Sequence, residues 1–182
     1  MEAFLIAKHR VLIQIHDWHQ SRFAGTEVSP KNLVRDFFND GPRVLIVDDD
    51  VDMALAMQSA LAQLGCQTEV HTCHEGLHRK LASSQADYIF LDWKLNDQVT
   101  ADQVVERAVR FIDTFSDLRE KFAHHRPSIV THSVLDRGQV TLPKAGIPYF
   151  SHLDHWQKPM PFHEVVKRAS ELITTNAAGL EV

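Results

Sequence analysis

The sequence predicts an α/β protein built on a doubly wound parallel sheet. The short uninterrupted apolar run Val44-Leu45-Ile46-Val47 suits a strand buried on both faces, and Ala86 to Leu91 reads as a further strand. Between them lie segments with apolar residues at helical spacing, so strands and helices alternate, as in parallel sheets. A third observation concerns the strand ends. Val44-Leu45-Ile46-Val47 runs directly into Asp48-Asp49-Asp50, and ligand sites in open α/β sheets lie beyond the carboxyl ends of strands.

Residues 1–41 read as a separate N-terminal extension. Phe4, Ala7, Val11, Ile15 and Trp18 share a helical face, although Val11, Ile13 and Ile15 also alternate as in a strand. Pro30 after Ser29 starts a short second helix, and Asn39-Asp40-Gly41-Pro42 turns the chain. The arm is more apolar than a solvated tail needs. It is expected to pack on the main domain or to pair with a second copy of itself.

The main domain is expected over 42–176, with a tail at 177–182. After the 44–47 strand, a helix over 51–64 presents Met53, Met57, Ala60, Leu61 and Leu64, and Gly65 stops it. Residues 67–71 form a second strand. Thr72 and Glu75 have capping-box spacing for a helix to about Ser84. The 86–91 strand ends on Asp92. Asn96-Asp97 is a turn, and Thr100 caps a long helix with Val104, Val105, Ala108, Ile112 and Phe115 inward. A strand at 128–130 ends on Thr131. Gly138, Pro143, Gly146 and Pro148 then make poor helix material. Lys158-Pro159 precedes a final helix over 162–174.

Composition narrows the function. The chain has 182 residues, is 44% hydrophobic and 24% charged, and carries a net charge of -5. That is an ordinary globular composition, and its sign argues against a DNA-binding surface. No apolar run reaches the ~18 residues of a membrane span, and Lys8, His9 and Arg10 break up the apolar start, unlike a secretory signal. Two cysteines, Cys66 and Cys73, make neither a disulfide framework nor a CxxC motif, which suits the reducing cytoplasm. His74/His78 and His16/His19 are each about one helical turn apart, but lack partners at ligand spacing and read as solvated or packed histidines.

Adjacent ionised carboxylates repel. A cation between Asp48 and Asp49 relieves that; an acidic helix N-cap is the alternative, and one Asp suffices for it. The other strand ends carry Asp92 and Thr131, with Lys158-Pro159 beyond. In this order the residues resemble the response-regulator receiver (CheY-like) domain of two-component signalling, over roughly 43–175. The resemblance implies a five-stranded, flavodoxin-like receiver fold. It makes Asp92 the phosphoacceptor, Thr131 the hydroxyl that moves to the phosphoryl group, and Lys158 its lysine. Asp48, Asp49 and Asp92 would hold Mg2+, leaving Asp50 to cap the helix. A sensor histidine kinase or phosphotransfer protein would supply the phosphoryl group to this stand-alone domain, which would signal to a downstream protein as a switch rather than an enzyme.

The chain departs from the family in several places. Lys94 stands two after Asp92 and His132 follows Thr131, where a small residue is usual; both are expected to slow hydrolysis of a phosphorylated Asp92. Asn96 replaces the usual proline. His155, beside Trp156, takes the place of the aromatic switch residue. The Asp92–Thr131 and Thr131–Lys158 intervals are long, and an irregular segment stands in for the fourth helix. Two other readings stand beside the switch. One is a pseudo-receiver adaptor that works without phosphorylation. The other is a haloacid-dehalogenase-like phosphatase, whose Asp-x-Asp-x-Thr/Val signature Asp48-Asp49-Asp50-Val51 superficially fits, although it leaves Asp92 unexplained.

Overall fold

A computed structural model of the protein describes residues 41–96 and 99–178. The expected helices of the 1–41 arm lie outside the described residues, as does most of the tail. Strand β1 (Arg43–Val47) is followed by α1 (Val51–Gln63), β2 (Gln67–His71), α2 (Leu77–Ser83) and β3 (Tyr88–Asp92). A two-residue pair, β4 (Lys94–Leu95) and β5 (Val99–Thr100), precedes α3 (Ala101–Thr114) and α4 (Ser116–His124). Strand β6 (Ser128–Ser133), β7 (Ser151–Gln157) and α5 (Phe162–Ala178) complete the chain. The final helix thus runs into the expected tail.

Strands β2-β1-β3-β6-β7 form one five-stranded sheet in that order, every pair parallel. This is the expected doubly wound sheet. Alternation along each strand divides its core. Leu45, Val47, Ile89, Leu91 and Ile129 pack with residues of α2, α3 and α4 on one face. Val44, Ile46, Tyr88, Phe90, Val130 and Trp156 pack with α1 and α5 on the other. Helix α1 is stopped as the sequence predicts. Gly65 takes φ 87, and the Gly65 and Cys66 N–H groups donate to Ala62 and Leu61 at 3.0 and 3.1 Å, a Schellman closure.

Three local expectations are corrected. The Thr72–Glu75 capping box does not form: α2 starts at Leu77 behind Gly76, which takes φ 70 and has no side-chain cap. Asn96 holds His74 in the preceding loop (2.8 Å), and the buried Leu77 and Leu81 set the helix where its apolar face meets the sheet. His74 and His78 therefore do not share a helix. Thr100 stands at the N-cap of α3 without making a side-chain cap bond, because it pairs with Lys94 in a small antiparallel ladder. The long helix also breaks at Phe115, which is extended (φ -119, ψ 122) and 46% exposed rather than inward. The ladder and α4 account for the long interval between Asp92 and Thr131.

The segment standing in for the fourth helix is irregular, as expected, with 3-10 turns at Arg137–Gln139 and Lys144–Gly146. It buries Val140, Leu142 and Phe150 against the α3 side of the core. Gly146 lets it approach α3: a Cβ there would lie 3.0 Å from Val105 Cγ1. Phe122 of α4 packs on Phe150 at 5.4 Å between ring centroids.

Burial predicts the stability ranking of substitutions. Ile89 is fully buried in the central strand, so Ile89→Ala is expected to cost about 3 kcal/mol. Leu55, half exposed on α1, should tolerate Leu55→Ala within about 0.5 kcal/mol. Urea midpoints at an unchanged slope provide the measurement.

Candidate functional site

The sheet brings together the residues that the sequence distributes over three strand ends. β1 and β3 are parallel neighbours with Val47 beside Leu91, so Asp48 and Asp92 emerge side by side. Both are nearly buried, at 5% and 6% exposed. Carboxylate oxygens of Asp48, Asp49 and Asp92 lie within 4.8 Å of one another. Lys158, just past β7, reaches in from the far side, its Nζ 3.1 Å from Asp92 Oδ2 and 3.6 Å from Asp48 Oδ2.

The remaining bonds sort the three adjacent aspartates. Asp50 caps α1, its Oδ1 accepting the Met53 N–H at 3.1 Å. Asp48 Oδ1 accepts the Asp50 N–H at 3.0 Å. Asp49 is exposed and accepts the Asn96 N–H at 3.1 Å. Asp50 is therefore the cap, and Asp48 and Asp49 face Asp92.

The site is short of positive charge. Burial raises the Asp92 pKa to about 6 against the lowering pull of Lys158, and neighbouring Asp48 raises it further. Burial likewise raises Asp48, opposed first by Lys158. One ammonium against three clustered carboxylates is a donor set of hard oxygens that suits a divalent cation such as Mg2+, which is typically held by one or two carboxylates plus waters. Asp48, Asp49 and Asp92 fit that role.

Of the other expected residues, His132 stands beside Asp92 in the sheet register. Its Nε2 is buried with no hydrogen-bond partner. Burial, with Lys158 and His155 adding to it, lowers its pKa to about 4, so the ring is neutral at pH 7. The Lys94 N–H lies 3.5 Å from Asp92 Oδ1. Trp156 sits beside His132, fully buried; its ring packs on Phe90 at 5.3 Å and its Nε1–H donates to Asp154 at 2.9 Å.

Thr131 is placed differently from the acidic group. It lies beside Leu91, one residue short of Asp92, and is fully buried. Its Oγ1 is bonded to His155 Nδ1 at 2.9 Å and His152 Nε2 at 3.0 Å. His152 was not singled out in the sequence, since nothing there signals that β7 pairs with β6. Asn96, noted only as a turn residue, also belongs to the rim through Asp49.

The strand order, the acidic ends of β1 and β3 and the lysine after β7 are now in place. Neither a family model nor a curated protein sequence matches the chain. Solved structures do. A two-component response regulator from Clostridium difficile matches at a TM-score of 0.51 and 19% identity, over 74% of this chain and 96% of that one. The N-terminal domain of a response regulator/sensory box/GGDEF protein from Carboxydothermus hydrogenoformans matches at 0.50 and 14%, over 76% and 99%. A streptococcal protein, described as a redox sensor evolved from two-component response regulators, matches at 0.53 and 15%, over 75% and 52%. This chain has the receiver fold. Within it the acidic group occupies the carboxyl edge of the sheet.

The raised carboxyl groups make a prediction for the metal-free protein. Between about pH 4 and pH 6 the folded Asp92 keeps a proton that the unfolded chain has lost, so stability falls as pH rises through that window, by about 2 kcal/mol in total. Urea unfolding in chelator at the two ends of the window should show the fall, and Asp92→Asn should largely remove it.

Proposed function

We propose that the protein is a phosphorylation-dependent switch in which Asp92 accepts a phosphoryl group. The observation that carries this reading is the placement of Lys158 between Asp48 and Asp92, 3.6 and 3.1 Å away, with Asp49 alongside. A buried carboxylate that must approach an anionic phosphoryl group needs neighbouring positive charge and a way in. Lys158 supplies the first, and exposed Asp49 marks the open side of the group.

The transfer forms a bond between an Asp92 oxygen and phosphorus and breaks the bond to the donor's leaving atom, the imidazole nitrogen of a phosphohistidine or the acyl oxygen of a small donor. Mg2+ bound by the three aspartates would screen the repulsion between carboxylate and phosphoryl group. Lys158 holds a phosphoryl oxygen as a point charge. A sensor histidine kinase or phosphotransfer protein is the source that this chemistry suits, and a downstream protein reads the result.

His132 and Lys94 shape the lifetime of the modified state. His132 occupies the position next to Asp92 with an unsatisfied Nε2, which can serve a phosphoryl oxygen and fills space that a hydrolytic water would use. Lys94 starts the β4 strand two residues on. The adaptor reading draws on one observation, that the Thr131 hydroxyl is engaged by β7 histidines instead of the acidic group. The phosphatase reading gives Asp92 no role, although the fold sets it against Lys158.

Acetyl phosphate with Mg2+ should add one phosphoryl group to the wild-type chain and none to Asp92→Asn, read by intact mass. An unmodified wild-type chain would leave the adaptor. The phosphorylated state should be long-lived, and His132→Ala and Lys94→Asn should each shorten its half-life several-fold. A half-life of seconds, unchanged in both variants, would remove them from this role.

A further inference from the structure

Helix α3 carries a stripe that the sheet does not use. Arg107 and Phe111 lie one turn apart on one face, and Phe115 follows at the helix end. Arg107 is exposed, Phe111 half-buried and Phe115 46% exposed. The two phenyl rings pack together at 5.0 Å between centroids, and His78 of α2 sets its ring steeply against Phe111 at 6.0 Å. Arg79 adjoins on α2. Arg110, on the next turn of α3, is paired with Glu106 at 3.5 Å. Among the described residues, neither the Arg79 nor the Arg107 guanidinium has a hydrogen-bond or ion-pair partner. Both stand close enough to His78 to lower its pKa, after the larger effect of burial, so that ring is neutral at pH 7. In a chain of net charge -5, this is an aromatic patch with two cations left over.

The chain itself supplies a complement. Immediately before Gly41, where the described residues begin, the sequence reads Asp36-Phe37-Phe38-Asn39-Asp40, two aromatic rings between two acids. Gly41 is buried and Arg43 opens β1, so this segment is tied closely to the domain. Arg43 Nη1 donates to Gln85 Oε1 at 2.6 Å, and Gln85 lies two residues past the end of α2. The tether therefore starts beside the helix that carries His78 and Arg79. Arg79 is six residues before Gln85, about 9 Å along a helix, and five or six residues of extended chain span up to roughly 20 Å. The reach is sufficient. We propose that residues 36–40 dock on the α2–α3 patch of their own domain, an aromatic ring against Phe111 and Phe115 and the acids facing Arg79 and Arg107.

Tethering favours this occupant over a second copy of the chain. Two phenyl rings bury at most roughly 500 Å², well under the roughly 1,200 Å² that a stable interface between free chains needs. A segment attached a few residues away acts at an effective concentration in the millimolar range, so a small patch suffices. Charge sets the orientation. Acids meet the two guanidinium groups that lack a partner, while Arg110 is already taken. The docking does not depend on the acceptor role of Asp92.

The test is hydrogen exchange of the full chain, read by mass spectrometry on peptides covering 33–40 and 107–119, with the mass in solution measured alongside. Phe115→Ser should speed exchange in 33–40 several-fold and leave peptides of β1 and β3 unchanged. Phe37→Ser combined with Phe38→Ser should speed exchange in 107–119. Arg79→Gln combined with Arg107→Gln, both exposed, should act on 33–40 as Phe115→Ser does, and about 0.5 M salt should act in the same direction. The mass in solution should not change in any of these. If Phe115→Ser disturbs β1 and β3, the arginine variant decides. A wild-type segment 33–40 that exchanges as fast as an unstructured chain, or a response in only one of the two peptides, would overturn the inference and leave the patch to a separate acidic partner. Protection that falls on dilution together with the mass would assign the patch to a second copy and overturn the inference equally.

Discussion

Two nearly buried carboxylates, Asp48 and Asp92, share one ammonium, and the rest of the molecule is arranged around that imbalance. Like charges side by side in a low dielectric are costly unless a counter-charge is close. The two acids cannot drift apart, because each continues a strand of the sheet centre. β1 and β3 are parallel, in register, and apolar on both faces. The ammonium arrives from the other half of the sheet: the Lys158 N–H is anchored to the Ser133 carbonyl at 2.6 Å. The conflict of charge is thus built by the most rigid elements and relieved from a loop. A site of that kind is disposed to take up a cation or an anionic group carried with one.

The sheet also separates the two halves of the polar machinery. Asp92, His132 and Trp156 lie side by side in register, while Thr131 and His155 are paired one step earlier. Alternation sends successive side chains to opposite faces. A group on Asp92 and the hydroxyl of Thr131 therefore belong to different layers of the domain, one over α1 and α5, the other over α3 and the irregular segment. Any event that draws the hydroxyl toward Asp92 moves material between layers. Thr131 is tied instead to His155, whose Nε2 lies 2.8 Å from the Leu135 carbonyl in the irregular segment.

The parts of this design written in local sequence were legible. Four apolar residues running into three aspartates identify a buried strand and its charged end, and Asp50 caps α1 as the sequence predicts. Gly65 likewise marks a helix end because only a residue tolerant of positive φ closes that turn. Local reasoning fails where a distant partner decides. Thr72 and Glu75 have capping-box spacing, but the sheet fixes where Leu77 and Leu81 must sit. Phe115 continues a helical period, yet the chain breaks there so that Phe122 can reach Phe150. His155 was singled out, but its bond to Thr131 and that of His152 could not be read, since both depend on the pairing of β7 with β6.

The helix α4 has one more property. Lys121 on it extends Nζ to the carbonyls of Ala82, Ser83 and Ser84, at 3.4 and 3.1 Å for the first two. These oxygens end α2, where helical carbonyls lack partners of their own. The contact closes a ring that contains β3, the β4–β5 ladder and α3, much as a crosslink would but without a covalent bond. Ring closure makes added length inexpensive, since its entropic cost grows only with the logarithm of the number of residues enclosed. The extra chain between Asp92 and Thr131 therefore comes with its own clasp. An insertion in the middle of the domain can be accommodated without loosening the two strands that hold the acids in place.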